Sequence, residues 1–318
     1  MTELYLGVDG GQSSTTALIG NAAGEILGRG SDGPCNHVKS AEEGREKFIR
    51  VISAAVEEAC RQAGVDPETV RFHGACFGFS GGPDDKEAIL RELIRADHLH
   101  VATDAMIALS GATAGGPGII VIGGTGSISF GRNQEGRIAR AGGWGYVYGD
   151  EGGAFDIARQ ALRASLRQHE GWGAKTSLHD RLLAATGAAD MNELLHAWYT
   201  SDFPRSRVAT FAPMVDQAAR EGDRVAGDIL QRMARQLTLL ALAVRNQIFQ
   251  EGDEVHIAPI GGVWQSEILL NHFTNFVHVV GGNRVAPPLY APAVGALLNA
   301  YKQAGVQTHL ANVPETHK

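Results

Sequence analysis

The sequence predicts an α/β chain made of two related halves, each opening with a three-stranded meander. Three observations predict it. Short apolar runs ending in Gly-Gly pairs are bounded by turn residues, strands and helices alternate after the first meander, and the pattern restarts near Gly118.

Leu4 to Asp9 is an apolar run closed by an acid and reads as a buried strand. Thr15 to Ile19 and Glu25 to Arg29 read as two more strands, joined by the turn Asn21-Ala22-Ala23-Gly24. A helix opens at the capping box Ser40-Ala41-Glu42-Glu43. It carries Phe48, Val51, Ile52, Ala55, Val56, Ala59 and Cys60 on one stripe and stops at Gly64. A strand around Ala75 to Phe79, a helix around Lys86 to Ile94, a strand around Leu99 to Ala102 and a helix from Ala105 to about Ala112 follow. That alternation belongs to a partly parallel sheet.

At Gly118 the pattern begins again. Ile119-Ile120-Val121-Ile122-Gly123-Gly124 parallels Leu6-Gly7-Val8-Asp9-Gly10-Gly11, and hydroxyl-bearing residues follow in both copies. An Asn-x-x-Gly turn comes next in each, Asn21 to Gly24 and Asn133 to Gly136, and then a third strand. With one residue of insertion the offset is about 112 residues. Beyond residue 150, helices are expected near 153–168, 177–186, 191–200 and 206–220. The longest starts after Asp223, a plausible N-cap, with Val225, Ile229, Leu230, Met233, Leu237, Leu240, Val244 and Ile248 on one stripe. A strand from Glu254 to Ile260 meets Gly261-Gly262 and a helix, and a final helix covers about 293–304.

The chain has 318 residues, about twice the length of one typical domain, so two domains are expected. Its net charge of −7 speaks against neutralising nucleic-acid phosphates as its main business. Glycine, at 41 residues, is nearly double its usual share, without collagen's period. Cys35, Cys60 and Cys76 form no CxxC pair, so neither a disulfide framework nor a cysteine zinc site is indicated. Met1-Thr2-Glu3 lacks the start of a signal peptide, and the longest apolar run, Leu239 to Val244, is too short to span a bilayer. A cytoplasmic protein without nucleic-acid or membrane partners is the expectation.

Three Gly-Gly pairs each end a predicted strand: Gly10-Gly11, Gly123-Gly124 and Gly261-Gly262. Such turns let phosphate approach the backbone, with Ser13, Ser14, Thr125 and Ser127 as added donors, although each pair is also readable as a plain tight turn. Gly124-Thr125-Gly126-Ser127-Ile128-Ser129 lacks the last glycine of G-x-G-x-x-G, and no G-x-x-x-x-G-K-[ST] occurs. Asp9 closes an apolar strand, as a turn aspartate or as a carboxylate facing a cation. Asp104 lies between a strand and a helix, as an N-cap or as a general base. Asp150-Glu151 stands where a helix begins, and its bland reading is a cap in a favourable helix dipole. The histidines lack metal-ligand spacing, and Ser80 misses G-x-S-x-G.

In this order and spacing, Gly7-Val8-Asp9-Gly10-Gly11, Pro34-Cys35-Asn36-His37, Thr103-Asp104-Ala105, Gly124-Thr125-Gly126-Ser127, Gly142-Gly143-Trp144-Gly145, Gly149-Asp150-Glu151-Gly152 and Gly261-Gly262-Val263-Trp264 form a specific set. Through them nearly the whole chain resembles the acetate and sugar kinase, Hsp70 and actin superfamily. Within it the chain resembles the N-acetylglucosamine kinase group of the BadF/BcrA-type ATPases.

The resemblance implies two ribonuclease-H-like domains, a duplicated βββαβαβα, with an interdomain nucleotide cleft and a helical insert in the second. The first, 1–113 with a C-terminal helix at about 291–306, would bind sugar and phosphate; the second, 114–290, would bind the nucleotide. ATP and Mg²⁺ are the implied cofactors, an amino sugar the substrate and a homodimer the assembly. Asp104 would be the base for the sugar 6-hydroxyl and Asp9 would place Mg²⁺. Gly10, Gly11, Ser13, Thr125 and Gly126 would hold phosphates, Gly261 and Gly262 would face the nucleoside, and Asn36, Gly143, Trp144 and Asp150 would contact the sugar. N-acetylglucosamine is the first expectation, with glucosamine or another hexosamine as the alternative. A second class, the iron–sulfur ATPase activators of acyl-CoA dehydratases and reductases, would need cysteine ligands that Cys35, Cys60 and Cys76 do not obviously provide. A sugar-sensing regulator would be expected to carry an N-terminal helix-turn-helix where this chain starts with a strand.

Overall fold

The structure is a computed structural model that describes residues 3–11, 13–35, 41–79 and 86–313. The chain divides into two compact units, Met1–Gly116 with Pro288–Lys318, and Pro117–Pro287.

In the first unit, β1 (Leu4–Gly10), β2 (Thr15–Asn21) and β3 (Ile26–Asp32) form an antiparallel meander. Then come α1 (Ala41–Ala63), β4 (Phe72–Phe79), α2 (Lys86–Leu93), β5 (Ala96–Thr103) and α3 (Asp104–Ala112). The sheet order is β3-β2-β1-β4-β5, with β4 parallel to β1 and β5 parallel to β4. Strand β1 is central, and both of its faces are covered. Leu4, Leu6 and Val8 join a core with Phe48, Ile52, Phe77 and Leu90, while Tyr5 joins a second core with Ile107, Leu297 and Tyr301. This explains why β1 reads as a continuous apolar run rather than an alternating one. The capping-box residue Ser40 lies outside the described residues.

The second unit repeats the plan. β6 (Gly118–Gly123), β7 (Ser127–Arg132) and β8 (Ile138–Gly142) form a meander, and the sheet order β10-β9-β6-β7-β8 reverses to the same connectivity as the first. Here β9 is Val255–Ile260 and β10 is Asn283–Val285. The two Asn-x-x-Gly turns share their backbone hydrogen bonds. Asn21 N–H donates to Glu25 O at 3.1 Å and Asn133 N–H to Arg137 O at 3.1 Å, with Gly24 and Gly136 at φ 83° and 81°. Each asparagine Oδ1 also accepts the amide four residues on. The inserted residue lies in the preceding hairpin: the pair Gly10↔Thr15 encloses one residue more than Gly123↔Ser127.

Between β8 and the long helix α9 (Arg224–Ile248) the second unit inserts α4 (Ala154–His169), α5 (Leu178–Thr186), α6 (Met191–Trp198), α7 (Arg205–Ala209) and α8 (Ala212–Arg220). The helix expected over 206–220 is thus two helices. Pro213 stands in the first turn of α8, and a continuous helix would set its ring against the Ala209 carbonyl. Asp223 caps α9 as expected, accepting from the amides of Val225 and Ala226. Helix α10 (Glu267–His278) follows β9, while the three-residue β10 carries too little pattern to be predicted.

The last helix, α11 (Pro292–Gln303), returns to the first unit and packs on α3 and β1. The contact is backbone against backbone. A Cβ at Gly295 would collide with the Ile107 carbonyl and stand 2.9 Å from Gly111 Cα, and one at Gly7 would collide with the Leu297 amide. Tyr290 N–H donates to Gly111 O at 3.0 Å in the same seam. We therefore expect Gly295→Ala to lose about 3 kcal/mol of stability, because neither backbone can yield without displacing a helix. Equilibrium urea unfolding measures this, and a loss under about 1 kcal/mol would show that the seam is loose.

Candidate active site

The first unit gathers its acids where the parallel strands end. Gly10, Phe79 and Thr103 lie side by side at the carboxyl ends of β1, β4 and β5, so Asp9 on β1 and Asp104 at the start of α3 share one edge of the sheet. Open α/β sheets bind ligands at this edge. Burial, and secondarily the charge of Asp104, push the Asp9 carboxyl up from 3.8 to about 6. Asp104 is exposed, and its Oδ1 accepts the Ala105 amide at 2.8 Å. The N-cap of α3 is Thr103, whose hydroxyl accepts the Met106 amide at 3.3 Å, rather than Asp104. This leaves Asp104 at the first helical position, where a carboxylate is favoured by the helix dipole without closing the helix end.

The expected phosphate glycines divide. A Cβ at Gly10 would collide with the Phe79 ring, and the Gly11 amide closes its own turn on Ser14 O at 2.9 Å. Ser13 is exposed in that turn. Asn36 lies outside the described residues.

In the second unit the Gly124-Thr125-Gly126 turn is clamped to a helix. The first amides of α4, on Ala154 and Phe155, donate to Gly124 O at 2.8 Å and Thr125 O at 3.1 Å. These are amides that a helix leaves unpaired, and the N-cap Gly153 has no side chain to serve them. Asp150 does not begin α4, contrary to the expectation; it sits three residues before the cap with φ 62°, buried. Its carboxylate pairs with Arg205 and lies 3.4 Å from the Ser127 amide. Ser127 Oγ donates to Glu151 O at 2.7 Å, so it closes the loop rather than standing free as a donor. Asp156, which no motif marked, is buried in α4 and accepts from the Gly152 amide at 3.2 Å and from Arg159 at 2.7 Å. Gly143 donates to Ser127 O at 3.0 Å, and the neighbouring Trp144 is 70% exposed.

A cavity of about 460 Å³ opens beside this turn, within the range of small-ligand sites. Gly124 and Thr125 line one end and Gly262 joins them, which brings together residues expected at the phosphates and at the nucleoside. Gly261 packs over the end of β6, where a Cβ would stand 2.5 Å from Gly123 O. The insert and the start of α10 also line it, through Thr210, Pro213, Asp216 and Ser266. Ser266 Oγ donates to Asp216 Oδ1, and Arg220 Nε pairs with Asp216 at 2.7 Å. These wall residues form no motif, and folding alone brings them to the turn.

Two five-stranded sheets of one connectivity, with a cavity at a Gly-Thr-Gly turn, define the class of duplicated ribonuclease-H-like ATP-binding folds. The chain belongs to the BadF/BadG/BcrA/BcrD ATPase family, whose pattern matches residues 6–300. It is 32% identical to an N-acetylmuramic acid/N-acetylglucosamine kinase of Clostridium acetobutylicum, over 86% of this chain and 90% of that protein. It is 30% identical to an N-acetyl-D-glucosamine kinase of Dictyostelium discoideum, over 79% and 82%, and 27% identical to a glucosamine kinase of Vibrio cholerae, over 76% and 81%. Among solved structures, a Chromobacterium violaceum protein assigned as an N-acetylglucosamine kinase superposes with a TM-score of 0.69 at 27% identity, covering 93% of this chain and 98% of that one.

Asp9 yields a prediction about stability. Its folded-state value lies above its ordinary one, so ionising it opposes folding: the penalty is absent below about pH 4 and complete above about pH 6. Asp9→Asn removes that penalty. In EDTA, its melting temperature should exceed that of the wild type at about pH 8 and approach it near pH 4. A difference of the same size at both pH values in scanning calorimetry would refute the assignment.

Proposed function

We propose that the chain is an ATP-dependent amino-sugar kinase that phosphorylates the 6-hydroxyl of N-acetylglucosamine. The observation that carries this reading is that the Clostridium and Dictyostelium relatives, at 32% and 30% identity over most of the chain, are both kinases of this sugar. The Vibrio glucosamine kinase keeps a free amino sugar as the alternative acceptor. An iron–sulfur activator is disfavoured, because Cys35 and Cys60 pack in one hydrophobic core and Cys76 in another. Burial pushes the Cys60 thiol up to about 11 and the Cys76 thiol up to about 12, which opposes thiolate ligation.

In this proposal Asp104 and Asp9 serve the acceptor and the metal, and the cavity beside Gly124 and Thr125 holds the nucleotide. Asp104 accepts the proton of the sugar 6-hydroxyl as that oxygen bonds to the γ-phosphorus and the bond to the ADP oxygen breaks. Asp9 lies half-buried within the field of Asp104, and a divalent cation would relieve that repulsion, so these residues fit Mg²⁺. When bound, Mg²⁺ would neutralise phosphate charge. Gly10, Gly11, Ser13, Thr125 and Gly126 form the turns offered to the phosphates, and Gly261 and Gly262 face the nucleoside. Asn36, Gly143, Trp144 and Asp150 contact the sugar. Phosphoryl transfer requires positioning and charge neutralisation, and no covalent nucleophile is needed.

A coupled assay of ADP formation with Mg²⁺ across hexoses and hexosamines tests the activity; no acceleration by any of them would end the kinase reading. Asp104→Asn should lower kcat by at least about 100-fold while ATP still binds. Stability should change by less than about 1 kcal/mol, since Thr103 rather than Asp104 caps the helix. A variant that keeps most of its kcat would make Asp104 a structural residue.

A further inference from the structure

Arg205 opens α7 and lies 55 residues from Asp150 in sequence, yet its Nη2 donates to the Asp150 carboxylate. The pair is closely packed. A Cβ at Gly126 would collide with both Arg205 Nη2 and Asp150 Oδ2. The guanidinium lies 5.5 Å from the centre of the Tyr146 ring and 6.0 Å from that of Phe155. Its Nε is buried without a hydrogen-bond partner, a donor that costs free energy while it stays unmade.

Asp150 needs this contact for two reasons. Its side chain is only 8% exposed, and a carboxylate so buried requires a cation or several donors. Its backbone is left-handed at φ 62°, a region that aspartate enters more readily than most residues but that still favours glycine, so a fixed partner helps to hold it there. Among the described residues Arg205 is the cation paired with it. The next residue, Ser206, lines the cavity together with Gly124 and Thr125. The arginine therefore ties the wall of the cavity to the loop that carries Asp150.

We propose that Arg205 is a positioning residue, which holds the Asp150 carboxylate in the geometry that binds the sugar. The inference rests on the reading of Asp150 as a sugar contact. A guanidinium is a rigid fork, so it fixes the direction of a carboxylate as well as its charge. Without it, Asp150 can leave its strained backbone conformation and turn to water.

Steady-state kinetics in both substrates tests this with Arg205→Ala, Arg205→Lys, Asp150→Asn and the Ala/Asn double variant. Arg205→Ala should raise the KM for the amino sugar at least about tenfold, with the KM for ATP changed by less than about threefold. Arg205→Lys should recover part of the loss, because it keeps the charge without the fork. The double variant should be no worse than Asp150→Asn alone, because both substitutions act through one contact. A merely structural role would instead move both KM values together with the melting temperature. If Arg205→Ala does not fold, Arg205→Gln carries the same comparison. An unchanged sugar KM, or additive effects in the double variant, overturns the inference while leaving the kinase reading intact. A wild-type chain without sugar-dependent ADP formation overturns both.

Discussion

The site in the second unit depends on one backbone contact, the docking of the first amides of α4 on the carbonyls of Gly124 and Thr125. A helix end must satisfy its leading amides, and this one uses the turn after β6 because Gly153 has no capping side chain. The closeness of that contact has consequences on both sides of it. A Cβ at Gly153 would lie 2.7 Å from Gly126 Cα, so Gly153 is small by necessity, while a Cβ at Gly126 would meet Asp150 and Arg205. Reciprocally, Asp156 in the first turn of α4 accepts the Gly152 amide, fixing the loop that carries Asp150. The helical insert follows this helix and supplies Thr210, Pro213 and Asp216 to the cavity lining.

The two units share a sheet plan but end their central strands differently. In the first, the Gly11 amide turns back on Ser14 and the neighbouring glycine serves the packing of Phe79. The acids stand instead at the strand edge, and Asp9 is held there against its own ionisation. An interior that tolerates such a carboxylate gives up stability at neutral pH, a pattern associated with sites that receive a cation or a proton. In the second unit the turn itself is the feature: Gly124 and Thr125 line a cavity, and Gly126 packs against the Asp150–Arg205 pair.

Much of the fold was legible because it is local. The duplication could be read from Asn21 and Asn133, whose side chains close their turns on amides four residues away. The Asp223 cap was equally legible, since its bonds reach only the amides of Val225 and Ala226. The structure departs from the local pattern where two local solutions compete. Thr103 and Asp104 are both good caps, and the choice between them depends on where β5 stops; Pro213 divides the segment expected as one helix because its ring cannot sit inside a continuous one.

The sequence by itself determined the order of strands and turns, the two halves and the acids at the strand ends, because hydrogen bonds within a few residues and hydrophobic period are written directly in neighbouring positions. Only the tertiary structure decided that Thr210, Asp216 and Ser266 would face Gly124 and Thr125, and that Asp150 would meet Arg205 rather than cap α4. Those contacts join residues far apart in the chain. Their partners are selected by burial: a charge with little access to water pairs with whichever opposite charge the packing of α4 and α7 delivers to it.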